Sequence, residues 1–198
     1  MLRKTLRRFN MYEIAVIGAG PAGASAALFA AKAGKQTLLV DSDKGMTRRG
    51  RYENYYGIAE ISGPELVDIG HQQAVKFGAE LVKDQAVKLS KSEEGFVIET
   101  EGGTSYEAKH IILATGVLTD LAAAAGVQTQ DGTEPRIKTV ITVNAQGQTN
   151  VPGIWAAGTV AGVSVHAVIT AGDGAKVAVN VISELNGARY VDHDVLKS

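Results

Sequence analysis

The chain has 198 residues, 45% of them hydrophobic, which suits one domain with a core of its own. It holds no cysteine, so these residues carry no disulfide framework, no Cys-x-x-Cys redox pair, no thiolate nucleophile and no cysteine-ligated zinc or iron–sulfur centre. A net charge of −1 excludes a global pull toward nucleic acid or an anionic membrane, and 23 glycines beside four prolines suggest close backbone approaches rather than disorder.

Residues 1–10 contain Arg3, Lys4, Arg7 and Arg8 and no acid, which leaves a net −5 on the remainder. This basic N-terminal extension lacks the apolar run of a secretory signal and reads as a frayed tail, with a membrane- or partner-docking arm as the alternative. Residues 11–198 read as a single domain. Tyr12–Ile17 (YEIAVI) predicts a buried strand. Pro21–Ala33 is alanine-rich and stops at Gly34, which predicts a helix. Thr37–Val40 predicts the second strand, and the polar residues 42–57 a loop. Pro64–Phe77 predicts a second helix, capped by Ser62 and ended by Gly78. Gln85–Leu89, Gly95–Thr100 and Thr104–Ala108 predict a small antiparallel meander, and His110–Ala114 a further buried strand. Residues 116–150 are ambiguous, with one helical turn at Ala122–Ala125 and a strand-like run at Ile137–Val143. Val151–Ala156 leads into a last strand and Ser164–Leu185 predicts a closing helix. Strands alternating with helices imply an α/β fold: a central parallel sheet with right-handed crossover helices and the meander attached. The apolar stretch Val151–Ile182 is interrupted by Gly158, Gly162, His166, Gly172, Asp173, Gly174 and Lys176, so no segment predicts a membrane span. The expectation is a cytoplasmic protein with neither a nucleic-acid nor a membrane partner.

Gly18-Ala19-Gly20-Pro21-Ala22-Gly23 follows a predicted strand and opens a predicted helix, the setting of a dinucleotide-binding turn. Gly18 would make the tight turn, Gly20 would admit a pyrophosphate to the backbone, and Gly23 would let helix and strand pack closely. The helix N-terminus offers free N–H groups, and Pro21 sits where a missing N–H costs little. A glycine-rich turn without ligand is the plainer reading. Asp41 stands 18 residues after Gly23 at the end of the second strand, where an acid would accept hydrogen bonds from an adenosine ribose and repel a 2′-phosphate. A solvated loop acid is the alternative. Arg48, Arg49 and Arg51 suit a solvated loop better than phosphate contacts.

In these segments the chain resembles the FAD-binding domain of thioredoxin reductases and related pyridine-nucleotide–disulfide oxidoreductases, a glutathione-reductase-like fold. The resemblance runs through GAGPAG at 18–23, YENYYG at 52–57, SGPELVDIGHQQAVKFGAELV at 62–82, IILATG at 111–116, NVPGIWAAGTV at 150–160 and VITAGDGAKVAVNVI at 168–182. It implies FAD as cofactor, with contacts from Gly18, Gly20, Pro21, Ala22, Gly23, Asp41, Asn54, Val87, Ala114, Thr115, Gly116, Gly158, Thr159, His166 and Ala167. Ala86 and Val87 would lie beside the adenine. Thr159 stands where the family has an aspartate that holds the ribityl chain, and its hydroxyl has shorter reach and no charge. The closing helix would direct its N-terminal N–H groups at the flavin, stabilising negative charge there. His166 would adjoin the flavin and is the single candidate catalytic residue; a histidine satisfied by backbone at a helix start is the equal alternative.

Relatives insert an NADPH domain, with the redox-active cysteine pair, between the ATG strand and the closing segment. Here residues 117–149 connect the two, a length close to the ~30 residues of a lone βαβ unit. Dithiol chemistry by the family route is therefore excluded within this chain. The leading expectation is a single-domain FAD-dependent oxidoreductase that passes electrons between a separate reductase and an acceptor protein. A homodimer is also expected, since surfaces that face the missing domain would otherwise be exposed. The alternatives are a non-catalytic FAD- or ADP-binding module, an NAD-binding dehydrogenase, and a ligand-free scaffold acting through protein contacts.

Overall fold

The computed structural model describes residues 11–195; the basic extension at 1–10 lies outside the described residues. Strands β1 (Tyr12–Ile17), β2 (Thr37–Asp41), β5 (Glu80–Lys83), β8 (Ser105–Leu113) and β11 (Ile154–Ala156) are parallel, and β6 (Ala86–Lys91) and β7 (Phe96–Thr100) extend the sheet antiparallel through β8. The order β5-β2-β1-β8 places β1 at the centre, with β8 beside it from Tyr12↔Ala108 to Ile17↔Leu113. Helix α1 (Pro21–Lys32) joins β1 to β2, and α2 (Gly63–Lys76) joins β2 toward β5. The expected α/β fold with crossover helices and a meander is present, and the meander shares one sheet with the parallel strands.

Alternation along the strands builds two cores. Ile14, Val16, Leu39, Ile112 and Trp155 pack against α1 and against helix α4 (Ala167–Asn186). Ala15, Ile17, Leu38, Val40, Ile111 and Leu113 face Leu89, Phe96 and Ile98 of the meander. A strand buried on both faces has no polar side, so the apolar runs Ile14–Ile17 of β1 and Leu38–Val40 of β2 are unbroken.

Several boundaries differ from the sequence expectation. Thr104–Ala108 and His110–Ala114 are not two strands but the single strand β8. Its first half pairs with β7 and its last residues, Ile111 to Leu113, pair with β11. Lys109 is merely the exposed side chain between buried Ala108 and half-buried His110. Strand β5 was not anticipated, because Glu80 and Lys83 flank only two apolar residues and its pairing with β2 is a tertiary event. The loop at 42–57 holds a 3-10 turn at Met46–Arg49 and the two-residue strand β3 (Arg51–Tyr52), paired with β4 (Ile61–Ser62). The connection after β8 contains the short helix α3 (Asp120–Ala124) and the antiparallel pair β9 (Thr129–Asp131) and β10 (Thr139–Ile141). The closing helix starts at Ala167 rather than Ser164. Ser62 caps α2 as expected, its Oγ accepting from the Glu65 N–H at 3.3 Å. Among the described residues no helix is long and apolar enough to cross a membrane.

Candidate functional site

The C-terminal ends of β1, β8 and β11 finish side by side, which opens a crevice at the sheet edge where α/β folds bind ligands. The Gly18 N–H donates to Val40 O (2.9 Å), Ala114 N–H to Ile17 O (2.8 Å) and Ala157 N–H to Leu113 O (2.9 Å), so the ends of β2, β1, β8 and β11 are tied together. Gly18 has φ +100, and a Cβ there would lie 2.3 Å from Ala114 O. A Cβ on Gly23 would lie 1.7 Å from Gly18 O. These two positions therefore require glycine, and the turn brings Ala114 against the start of α1. Gly20 is the N-cap of α1 and Pro21 follows it at the first helical position. A Cβ on Gly158 would lie 2.7 Å from Ala22 Cβ, so the turn after β11 also meets α1.

Asp41 ends β2 with only 7% of its surface exposed. Its Oδ1 accepts the Asp43 N–H at 2.9 Å, while its buried Oδ2 has no hydrogen-bond partner among the described residues. Burying an acceptor without a partner is costly, and such a group is commonly completed by a ligand or water. Asp43 competes poorly for this role, since its side chain is exposed and paired with Arg48 Nε at 2.7 Å. Arg48 also reaches Asp68, and Arg51 bridges Glu53 and Glu60, so these two arginines are committed to local ion pairs. Arg49 is exposed.

The other end is built by α4 and the turn before it. Gly158 and Thr159 open a 3-10 turn at Gly158–Ala161. The Asp173 side chain, on α4, accepts the Gly158 N–H through Oδ2 at 2.8 Å and pairs through Oδ1 with Lys176 Nζ at 2.6 Å. Asp173 thus anchors the turn that presents Thr159, a role that sequence reading missed. Ala167 is buried at the first position of α4, and no acidic residue occupies that helix's first turn. His166 is the N-cap residue but makes no side-chain cap; its ring is exposed and Nδ1 meets Ser164 Oγ at 2.9 Å. The alternative of a histidine satisfied by helix-start backbone is therefore not what forms.

After β8, Thr115 Oγ1 donates to Leu118 O at 2.5 Å, closing a turn that contains Gly116. Val117 and Leu118 are 49% and 58% exposed there. Asn54 is exposed and lines an open groove with Arg51 and Glu53. Val87 is half exposed on β6, at a register irregularity between Ala86 and Lys88. A second residue missed from sequence is His71 on α2, 5% exposed, with Nε2 2.8 Å from Ala19 O. Its signal was its spacing: Val67, His71 and Ala74 share one helical face, and all three are buried.

Residues 12–140 match the family model described as pyridine nucleotide-disulphide oxidoreductase. The chain belongs to that family. Relatives within it include the thioredoxin reductase of Peptoclostridium acidaminophilum, 38% identical over 127 residues, which are 62% of this chain and 40% of that protein. The thioredoxin reductase of Aquifex aeolicus is 36% identical over 115 residues, 55% of this chain and 35% of that protein. The chain thus matches well under half the length of these family members. A solved thioredoxin reductase from Gloeobacter violaceus superposes with a TM-score of 0.79 at 18% identity, covering 93% of this chain and 99% of that one. The atypical thioredoxin reductase TRi from Desulfovibrio vulgaris Hildenborough gives 0.73 at 22% identity, covering 89% and 99%. At these identities the structural likeness establishes the fold.

The residues present fit the adenosine diphosphate half of the cofactor this family implies. Gly18 and Gly23 leave no room for side chains, α1 presents its N-terminus at the turn, and Asp41 keeps a buried acceptor free. At the far half, the fit rests on the Thr159 hydroxyl and the uncapped start of α4.

Proposed function

We propose that this chain binds one FAD non-covalently and acts as a thioredoxin-reductase-like flavoprotein oxidoreductase whose electron donor and acceptor come from outside these residues. The observation that carries the reading is the unpartnered, buried Oδ2 of Asp41 at the strand end beside the glycine turn. Asp41 would accept the ribose hydroxyls, and the Gly20 backbone and the N-terminus of α1 would bind the pyrophosphate. Asp173, through Gly158, would hold Thr159 toward the ribityl chain, and the start of α4 would stabilise negative charge at the flavin. His166 stands at that same end with Ser164 as its partner. FAD, when bound, supplies the redox centre that the side chains of this chain lack.

In this reading residues 117–149 stand in place of the family's second nucleotide domain, and the flavin end stays accessible to a partner. Exposed Val117, Leu118, Val165 and Ile169 suit a separate reductase, an acceptor protein or a second copy of the chain. A cytoplasmic setting accords with such partners. The test is absorption spectroscopy of the purified chain after incubation with FAD and desalting, with NAD run in parallel. Stoichiometric flavin absorption is expected. Retention of NAD without flavin would instead favour a dehydrogenase, and retention of ADP alone a non-catalytic module.

A further inference from the structure

His71 lies outside the glycine turn, yet its ring is buried against it. It projects from α2, which packs closely on α1: a Cβ on the adjacent Gly70 would sit 3.1 Å from Ala24 Cβ. The Nε2 atom of His71 is 2.8 Å from the carbonyl oxygen of Ala19, the second residue of the glycine turn, across 52 positions of sequence. A carbonyl oxygen can only accept, so Nε2 carries the proton and donates it. Asp41 Oδ2 lies 3.9 Å from the same nitrogen, beyond hydrogen-bond distance, so the Nε2 proton is committed to Ala19 and the acid stays free.

The Ala19 carbonyl and the Gly20 N–H belong to one peptide unit. That unit is trans, since the described residues contain no cis bond, and in a trans peptide C=O and N–H point in opposite directions. Fixing Ala19 O toward α2 therefore fixes the Gly20 N–H away from α2. Among the described residues that N–H makes no hydrogen bond within the protein. Gly20 has no side chain to limit rotation of this peptide, so the hydrogen bond from His71 adds a restraint on its orientation.

We propose that His71 is a positioning residue for phosphate recognition: by holding the Ala19 carbonyl, it aims the Gly20 N–H at the pyrophosphate of the bound nucleotide. The inference rests on the dinucleotide reading above. It assigns to α2 a role in the ligand site beyond its part in the core.

The test compares wild type, His71→Leu and His71→Gln by titration with two probes, ADP and adenosine. Circular dichroism and melting curves verify that each variant is folded. His71→Leu keeps an apolar body but no donor, and ADP affinity should fall about tenfold, the scale of one lost hydrogen bond. Adenosine lacks phosphates, so its weaker binding, followed by NMR, should change less than about twofold. His71→Gln places an amide N–H within similar reach and should recover most of the ADP affinity. Equal loss for both probes, or no recovery with glutamine, would assign His71 to packing alone and overturn the proposal. Unchanged ADP binding in a folded His71→Leu would also overturn it while leaving the FAD reading intact. Failure of the wild-type chain to bind either probe or FAD would overturn both.

Discussion

The two ends of the candidate site are built differently. The adenosine end is enclosed: Gly18 and Gly23 touch backbone where a side chain would be, Asp41 is buried, and His71 braces the turn from beneath. The far end is open: His166 is exposed, Val165 faces solvent, and Thr159 offers an uncharged hydroxyl. The first region is specified by sterics and by a polar group that demands a partner. The second is specified by backbone at a helix start, with few side chains aimed at it. In the proposed reading an ADP moiety would meet a preformed site here, and whatever extends beyond it an accessible rim.

The largest effect should come from Gly23→Ala, because the added Cβ would fall 1.7 Å from the Gly18 carbonyl and neither backbone can yield cheaply. Thermal melting should drop by about 10 °C, corresponding to roughly 3–4 kcal/mol in a chain of this size, with nucleotide binding lost as well. A melting point within 2 °C of wild type would show that the turn is far looser than its contacts indicate.

Asp41→Ala comes next. It removes the buried acceptor and should weaken ADP and FAD alike by about 1.5–3 kcal/mol, the scale of a hydrogen bond to a charged group. Calorimetric titration with both ligands checks this. A loss seen for FAD alone would reverse the comparison, since it would move the acid's role to the open end.

Thr159→Asp sharpens the contrast from the opposite side. Restoring a carboxylate on the Gly158–Ala161 turn should tighten FAD by about 1–2 kcal/mol and leave ADP unchanged, because ADP lacks a ribityl chain. Fluorescence quenching during FAD titration measures the gain. Parallel strengthening of ADP would place Thr159 at the enclosed end instead.

The smallest effect belongs to the sheet that both ends share. Burial holds the His110 imidazole below its ordinary value, and its Nδ1 accepts the Trp155 Nε1–H at 3.3 Å. The unfolded chain thus binds a proton at pH values where native His110 does not. Stability contributed by the neutral ring is full above the ordinary histidine range and declines as pH falls through it. Denaturant unfolding at pH 7 and pH 5, followed through the single tryptophan, should show this loss reduced in His110→Gln. An unchanged pH difference would assign the acid sensitivity to other groups.

The fold was largely legible because its punctuation is strong. β1 ends in the unbroken apolar run Ile14–Ile17 before Gly18, and α2 lies between Ser62 and Gly78. The enclosed end was legible for the same reason: its residues are contiguous at 18–23, and Asp41 closes an apolar run. What escaped was long-range. The tie between Asp173 and Gly158 and the tie between His71 and Ala19 each join distant segments, and a lone Asp or His on a helix gives no hint of its partner. Strand β5 escaped because ELVK becomes a strand only beside β2. The closing helix starts three residues later than predicted because His166, its N-cap, is extended at φ −65, ψ 129.

Strand β8 changes neighbours along its length, leaving β7 and taking up β11. The backbone departs the sheet after Leu113 and comes back at Ile154, which is in register with Ile111. Departure and return are thus adjacent on one strand, while Ala122, Val127 and Ile141 of the connection join the core between them. Loop closure depends weakly on length, each doubling costing about 0.6 kcal/mol. Connections of different length can therefore close onto the sheet at little entropic cost, provided each supplies apolar side chains where Ala122, Val127 and Ile141 now pack. The junction behaves as a socket that fixes the points of attachment and asks the insert for a matching plug.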